Sequence, residues 1–414
     1  MIDLAIYRAK LSNKDDLSDV LISGGVIKEI RRAGEKIDAQ EEIDADGRFL
    51  SPGFIDSHTH LDKTCVISDK ESPTLELAVQ NYSSYIKDFS PEELAADIKR
   101  RARKTLRKAV AAGTTCIRIH VNIEASSGIE SIVALNELRD ELSPYIDIYI
   151  TALPNFYDGQ EAQKKRLEFL DEIARNLLVD AIGGAQHLHE NKMELTHELF
   201  RIAVKHDLDL DFHIDEHDDP NIDTFLETAQ LTKKYGYEGR VSCGHVTALC
   251  RVDDDLAAEA IELAKEADLQ IITLPSCNLY LMSRSDSEPI ARGVTRIKEF
   301  LEAGVNISYA SDNIRDPFRP IGNADMLEEG LLTGQVAQML TDSQFEIIHK
   351  MGTINPARAL RLDNYGLEEG KQADLVLLDA PDIATAFRDQ ATRLAVIKNG
   401  AVVATNTSEL TISL

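Results

Sequence analysis

Three histidines and one aspartate end separate apolar runs of this chain. His58 and His60 close Phe54-Ile55-Asp56-Ser57-His58-Thr59-His60, His213 lies in Asp211-Phe212-His213-Ile214-Asp215-Glu216, and Asp312 closes Tyr309-Ala310-Ser311-Asp312. Residues i and i+2 of a strand project to one face, so His58 and His60 can aim their rings at one point. Neutral imidazole is the commonest protein ligand for a transition metal near neutral pH. Three imidazoles with one carboxylate suit one divalent ion per chain, Zn2+ or Fe2+, and leave a position for water. His245, at the end of Ser242-Cys243-Gly244-His245, would stand in the same mouth to orient that water or hold an oxyanion. Glu216, three residues past His213, would carry the proton. One such histidine alone is ordinarily a buried, satisfied side chain; the whole set at successive strand ends is not explained that way.

Regular elements must bring these ends together. Strand-like runs recur at 114–123, 146–154, 179–186, 208–215, 241–246, 269–275 and 305–312, with helical patterns between them at 161–176, 194–206, 222–235, 256–267 and 295–303. A further amphipathic helix over 91–112 ends at Gly113, a fitting stop. Counting the run that holds His58, there are eight strand–helix units, and strands separated by helices of this length pair in parallel. The expected fold class is α/β: a closed (β/α)8, TIM-like barrel with its chemistry at the C-terminal ends of the strands. Past Asp312 the chain reads as helical to about Leu362. Short β runs at 3–8, 20–22 and 26–30, with Ser23-Gly24-Gly25 as a hairpin turn, and at 373–378, 393–398 and 401–405 mark the two ends. The expected organisation is a composite β-sandwich of residues 1–48 and 363–414 beside a catalytic barrel of residues 49–362.

Of the 414 residues, 43% are hydrophobic and 28% charged, the balance of a soluble globular protein with ample material for a core. A formal net charge of −26 argues against nucleic acid or an anionic membrane as partner, because both require a basic face. No apolar run reaches the ~18 residues of a membrane span, and the opening residues lack a signal-peptide core. The five cysteines are odd in number and scattered, as free thiols in a reducing cytosol would be, so a cytoplasmic setting is expected. A His-Glu-x-x-His helix, a Gly-x-Ser-x-Gly elbow and a Gly-rich phosphate loop are all missing. Pro275-Ser276-Cys277-Asn278 does not supply the Pro-Cys-x-x-Cys pair of the zinc deaminases that edit nucleic acids. A free small molecule is the expected substrate.

Four strings are specific enough in combination to carry a resemblance: Pro52-Gly53-Phe54-Ile55-Asp56-Ser57-His58-Thr59-His60-Leu61-Asp62-Lys63-Thr64, His213-Ile214-Asp215-Glu216-His217-Asp218-Asp219, Gly244-His245-Val246-Thr247-Ala248, and Ser311-Asp312-Asn313-Ile314-Arg315-Asp316-Pro317-Phe318. Over nearly its whole length the chain resembles the cytosine deaminase branch of the amidohydrolase superfamily. Gly370-Lys371-Gln372-Ala373-Asp374-Leu375-Val376 resembles the stretch with which amidohydrolases return to their flanking sandwich. The resemblance implies that His58, His60, His213 and Asp312 bind the metal, that Glu216 shuttles the proton, and that His245 supports the hydrolytic water. It implies hydrolytic deamination of a cytosine-like aminopyrimidine within pyrimidine metabolism, by an enzyme expected to be a homo-oligomer.

Two departures bear on the substrate. Cytosine deaminases usually carry a second aspartate after the metal-binding one, and here Asn313 stands there, offering both a donor and an acceptor. Where those enzymes hold a glutamine against the pyrimidine edge, this chain has Asn155, while Phe318 falls where a ring-covering aromatic is expected. Residues 310–316 also resemble the s-triazine aminohydrolases that act on N-isopropylammelide. Hydrolysis of a substituted amine on the same scaffold, or a catalytically silent ligand-binding barrel, are the competing readings.

Overall fold

The computed structural model describes residues 1–407 apart from 13, 68–71, 73, 124–128, 155–159, 177 and 289. Five strands come first: β1 (Ile2–Ala9), β2 (Ser18–Ser23), β3 (Val26–Arg32), β4 (Ala39–Asp44) and β5 (Phe49–Pro52). Eight follow, β6 (Phe54–Thr59), β7 (Thr114–Ile123), β8 (Asp147–Pro154), β9 (Ala181–Gly184), β10 (Asp209–Ile214), β11 (Val241–His245), β12 (Gln270–Thr273) and β13 (Ile307–Tyr309). Three more, β14 (Leu375–Leu378), β15 (Arg393–Lys398) and β16 (Ala401–Thr405), complete the set.

Strands β6 to β13 pair in sequence order and in parallel, with helices in the connections. This is the expected α/β barrel. Its seam lies at the candidate site: the Asp312 amide donates to the His58 carbonyl at 2.9 Å, and Thr59 Oγ1 donates to the Asp312 carbonyl at 2.6 Å. Between β6 and β7 run helices α1 (Leu75–Ile86) and α2 (Pro91–Ala111). Ser90 and Glu93 form a capping box at the start of α2, Pro91 takes the first helical position, and Gly113 follows its end at φ 92°. Leu94, Ile98, Ala102 and Leu106 repeat every four residues and are buried, so the helix lays one apolar stripe on the barrel.

The other strands form two four-stranded sheets, β3-β2-β1-β4 and β16-β15-β14-β5. Gly24 and Gly25, both at positive φ, turn β2 into β3 as a two-residue hairpin. Leu4, Ile6, Val20 and Ile22 of one sheet and Leu50, Leu375, Leu377 and Ile397 of the other share one buried cluster. Alternate residues therefore face inward from both sheets, which is the packing of a sandwich. Phe49–Pro52 pairs antiparallel with β14 instead of opening the barrel. The crossing from sheet to barrel falls at Gly53, where any Cβ would lie 2.3 Å from Thr115 Oγ1.

Two expectations need correction. Residues 313–325 are not helical; helices resume at Met326–Ala337, Asp342–Met351 and Ile354–Ala359. Pro317 and Pro320 lack the amide a helix needs, and Asp316 Oδ1 takes the Phe318 and Arg319 amides into a local turn. The run 269–275 is strand only to Thr273, since Pro275 opens the helix Pro275–Leu281. Among the described residues, no helix is long and apolar enough to cross a membrane.

Candidate functional site

The strand ends reach the site through unusual backbone. Asp215, His245, Val246 and Asp312 all take positive φ, between 44° and 66°. For such residues the left-handed region costs ~1–2 kcal/mol each, and it persists only where the surroundings enforce it. Here the enforcing bonds run between neighbouring strand ends: the Val246 amide donates to the Ile214 carbonyl, and the Ala248 amide to the Asp215 carbonyl. These turns place Glu216, His245 and Asp312 in the barrel mouth.

Four of the expected ligands converge. His58 Nε2 and His60 Nε2 lie 3.3 and 3.2 Å from His213 Nε2, and Asp312 Oδ1 lies 3.3 Å from His60 Nε2 and 3.9 Å from His58 Nε2. Burial, then mutual repulsion among neighbouring charged groups, holds all three imidazoles well below their usual range, so they are neutral. Neutral imidazoles with their Nε2 atoms turned on one point cannot all donate to each other. Neither oxygen of the Asp312 carboxylate has a hydrogen-bond partner, although the residue is only 1% exposed. A divalent cation fits this set: it would accept the three nitrogen lone pairs and satisfy the buried carboxylate. His245, Asp312, His58 and His213 also meet within ligand range, and His245 Nε2 stands 3.9 Å from Asp312 Oδ2.

Glu216 is brought to the same place, with Oε1 3.2 Å from His245 Nδ1. Burial, reinforced by the Asp312 charge, raises its carboxyl well above the usual range. Asn278, on the helix Pro275–Leu281, lies 3.0 Å from His245 Nδ1 through its side-chain nitrogen. Asn313 and Phe318 line the same cavity, whose apolar wall includes Leu75 and Val79 of α1, Leu153 and Leu281. One N–H of Asn313 donates to Asp316 Oδ2 at 2.7 Å. Asn155 lies outside the described residues; Pro154, beside it, lines the cavity.

Sequence reasoning missed a second layer. His120 Nε2 and Arg118 Nε lie 2.8 and 2.7 Å from Asp211 Oδ2, and the His120 ring packs on His58 with centroids 3.9 Å apart. Burial alone would raise the Asp211 carboxyl, but Arg118 and His120 outweigh it and hold it below the usual carboxylate range. Lys63 Nζ reaches His60 Nδ1 at 3.1 Å and Asn122 Oδ1 at 2.8 Å. One signal was readable: His120 and Asn122, two apart at the end of β7, share a face just as His58 and His60 do.

The model of the amidohydrolase family matches residues 41–141 and 85–404. The N-isopropylammelide isopropyl amidohydrolase of Pseudomonas sp. (strain ADP) is 34% identical over 413 residues, 97% of each chain. The pterin deaminase of Rhizobium rhizogenes is 30% identical, covering 93% of this chain and 87% of its own. Among solved structures, 5-methylcytosine deaminase from Klebsiella pneumoniae liganded with 5-fluorocytosine superposes with a TM-score of 0.92 at 30% identity, over 99% of both chains.

Proposed function

The chain belongs to the amidohydrolase family, and on that premise we propose that it performs metal-dependent hydrolytic deamination of a small aminated heterocycle, a cytosine-like aminopyrimidine before others. The observation that carries the reading is Glu216: a buried carboxyl of raised proton affinity, 3.2 Å from His245, facing the same cavity as Asp312. A divalent metal held by His58, His60, His213 and Asp312 would act as Lewis acid on water, lowering its pKa towards ~7.

Glu216 does the proton work. Because burial disfavours its charge, its carboxylate is a stronger base than an exposed one and takes a proton from water readily. Once protonated it is a stable acid, and it hands that proton to a ring nitrogen, which makes the amino-bearing carbon electrophilic. General acid–base help of this kind contributes ~10²–10⁴-fold. His245, between Glu216 and Asp312, steers the incoming oxygen. Phe318 and the apolar wall cover the ring; the remaining proton of the added hydroxyl passes to the amino nitrogen as the C–N bond breaks, and ammonia leaves.

Purified protein assayed for metal content and for ammonia release on aminopyrimidines, aminotriazines, pterin and creatinine-like rings tests this. A 5-substituted cytosine, isocytosine or an aminotriazine is expected to match or exceed cytosine in kcat/KM. The second reading, hydrolysis of a substituted amine from an s-triazine, is favoured by the 34% identity to the N-isopropylammelide enzyme; it predicts alkylamine release from such rings and little ammonia from any pyrimidine. Metal-free protein inert to the whole panel would leave a silent binding barrel.

A further inference from the structure

Asn313 follows Asp312 directly and shares its cavity with Glu216, so it faces the reacting end of any bound ring. An unconstrained asparagine could turn either end of its amide inward. This one is constrained wherever Asp316 is ionised, above the value of about 7 to which burial raises it: Oδ2 then only accepts, and at 2.7 Å it engages one N–H and turns the carbonyl away from itself. The Cys277 thiol lies 3.8 Å from Asn313 Oδ1, where it can serve as a weak donor. Asp316 selects the amide orientation, and the thiol's place beside Oδ1 is compatible with it. Asp316 itself is held in place: it is 2% exposed, and its Oδ1 takes the backbone amides of Phe318 and Arg319 at 2.9 and 3.1 Å. The loop backbone thus locks Asp316, and Asp316 locks Asn313.

We propose that Asp316 is a positioning residue that presents the Asn313 carbonyl, and not its NH2 group, to the amino group at the reacting carbon. The pocket then selects rings whose leaving group carries an N–H, primary or secondary amines, and rejects isosteric groups that offer only a lone pair. The proposal rests on the deamination reading above, since it names the group that reading removes. A neutral carbonyl reads that N–H as a carboxylate would, without adding a second negative charge beside Asp312.

The test compares two rings of nearly equal shape, N4-methylcytosine and 4-methoxypyrimidin-2-one, which differ in an N–H against an oxygen. Their affinities are measured by calorimetry on zinc-loaded protein carrying Glu216→Gln to stop turnover. The N–H ring is expected to bind about tenfold or more tightly, since a pocket built for a hydrogen bond penalises its loss. Adding Asp316→Asn keeps an acceptor for the Phe318 and Arg319 amides but puts an NH2 group against Asn313, whose own amide then turns. The preference should fall below threefold, and Asn313→Ala should erase it likewise, with metal content and melting temperature held. Equal binding of the two rings, no binding of either, or an undiminished preference in either folded variant overturns the proposal. Amine release by the parent protein is scored separately: its absence removes the deamination reading, while the binding ratio still decides the role of Asp316.

Discussion

Gly244 Cα lies against the imidazole of His58: a Cβ at that position would meet His58 Cε1 at 2.9 Å and Nδ1 at 3.2 Å. The ring can point its Nε2 at His213 only because β11 carries no side chain there. Gly244→Ala should therefore displace His58 and leave the fold intact. Metal affinity is expected to fall by about 10-fold or more, the scale on which lost ligand orientation acts. Competition with a chelator measures it, and unchanged affinity would refute the steric argument.

Glu216→Gln should nearly abolish turnover while metal content stays close to normal. Glutamine keeps the shape and one hydrogen-bonding oxygen but cannot take up a proton. The loss expected is on the order of 10²–10⁴ in kcat. A variant that keeps a tenth of the parental kcat would show that Glu216 is a bystander in the acidic run that ends at Asp219.

The barrel and the convergence of these side chains were readable because each carried a strong local signal. Thr114–Ile123 is an unbroken β-rich run that follows Gly113, and its strand has those same limits. His58, His60, His213, His245 and Asp312 each end such a run, so period and topology alone bring them to one mouth. Arg118 and Asp211 were not readable, since a charge inside an apolar strand gives no sign of its partner, and these two find each other across the barrel interior. The loop 313–325 was misread as helix because its shape rests on side chain-to-backbone bonds, such as those of Asp316, which no periodicity shows. The bond from Asn313 to Asp316 was hidden for the same reason.

His349 gives a pH dependence of stability that is separate from the site. Its Nε2 lies 2.7 Å from Ser51 Oγ, and it sits between Phe49 and Phe54, where burial lowers its pKa to about 4. The unfolded chain takes up this proton near pH 6.5 and the folded chain only near 4, so stability is lost as pH falls through that window. At pH 5 the loss is about 2 kcal/mol from this group. His349→Gln should cost stability at pH 7 yet lose less on going to pH 5 than the parent does. Urea titrations at the two pH values decide it; equal losses would mean that His349 is not buried neutral.

Lys398 ties the flanking sheet to the barrel. Its ammonium is fully buried and lies 2.6 Å from both Asp147, at the start of β8, and Asp374, next to β14. Lys398→Met should remove about 3 kcal/mol, because the Asp374 carboxylate is left buried without its cation. Asp147 is partly exposed and can recover water, which limits the loss. Thermal melting should show the drop with kcat unchanged well below the transition. A kcat that falls in parallel would mean that this contact reaches the site.

The last prediction is one tightly bound metal per chain, not two. Binuclear barrels of this superfamily bridge their ions with a modified lysine after the fourth strand, and Ala181-Ile182-Gly183-Gly184-Ala185-Gln186-His187 has none. A second group, His58, His120 and Asp211, does lie within ligand range of a common point. Its charge is already met: Arg118 Nε is 2.7 Å from Asp211 Oδ2, and both side chains are buried. An added cation at Asp211 Oδ1 would stand beside a buried guanidinium, two like charges in a space with little water to screen them. Asp211 therefore serves to hold His120 against His58 and not to bind an ion. Elemental analysis of active protein should give one ion, and Arg118→Met should not raise that number. Two tightly held ions per chain, both needed for turnover, would overturn the assignment of Asp211 and the single-site reading together.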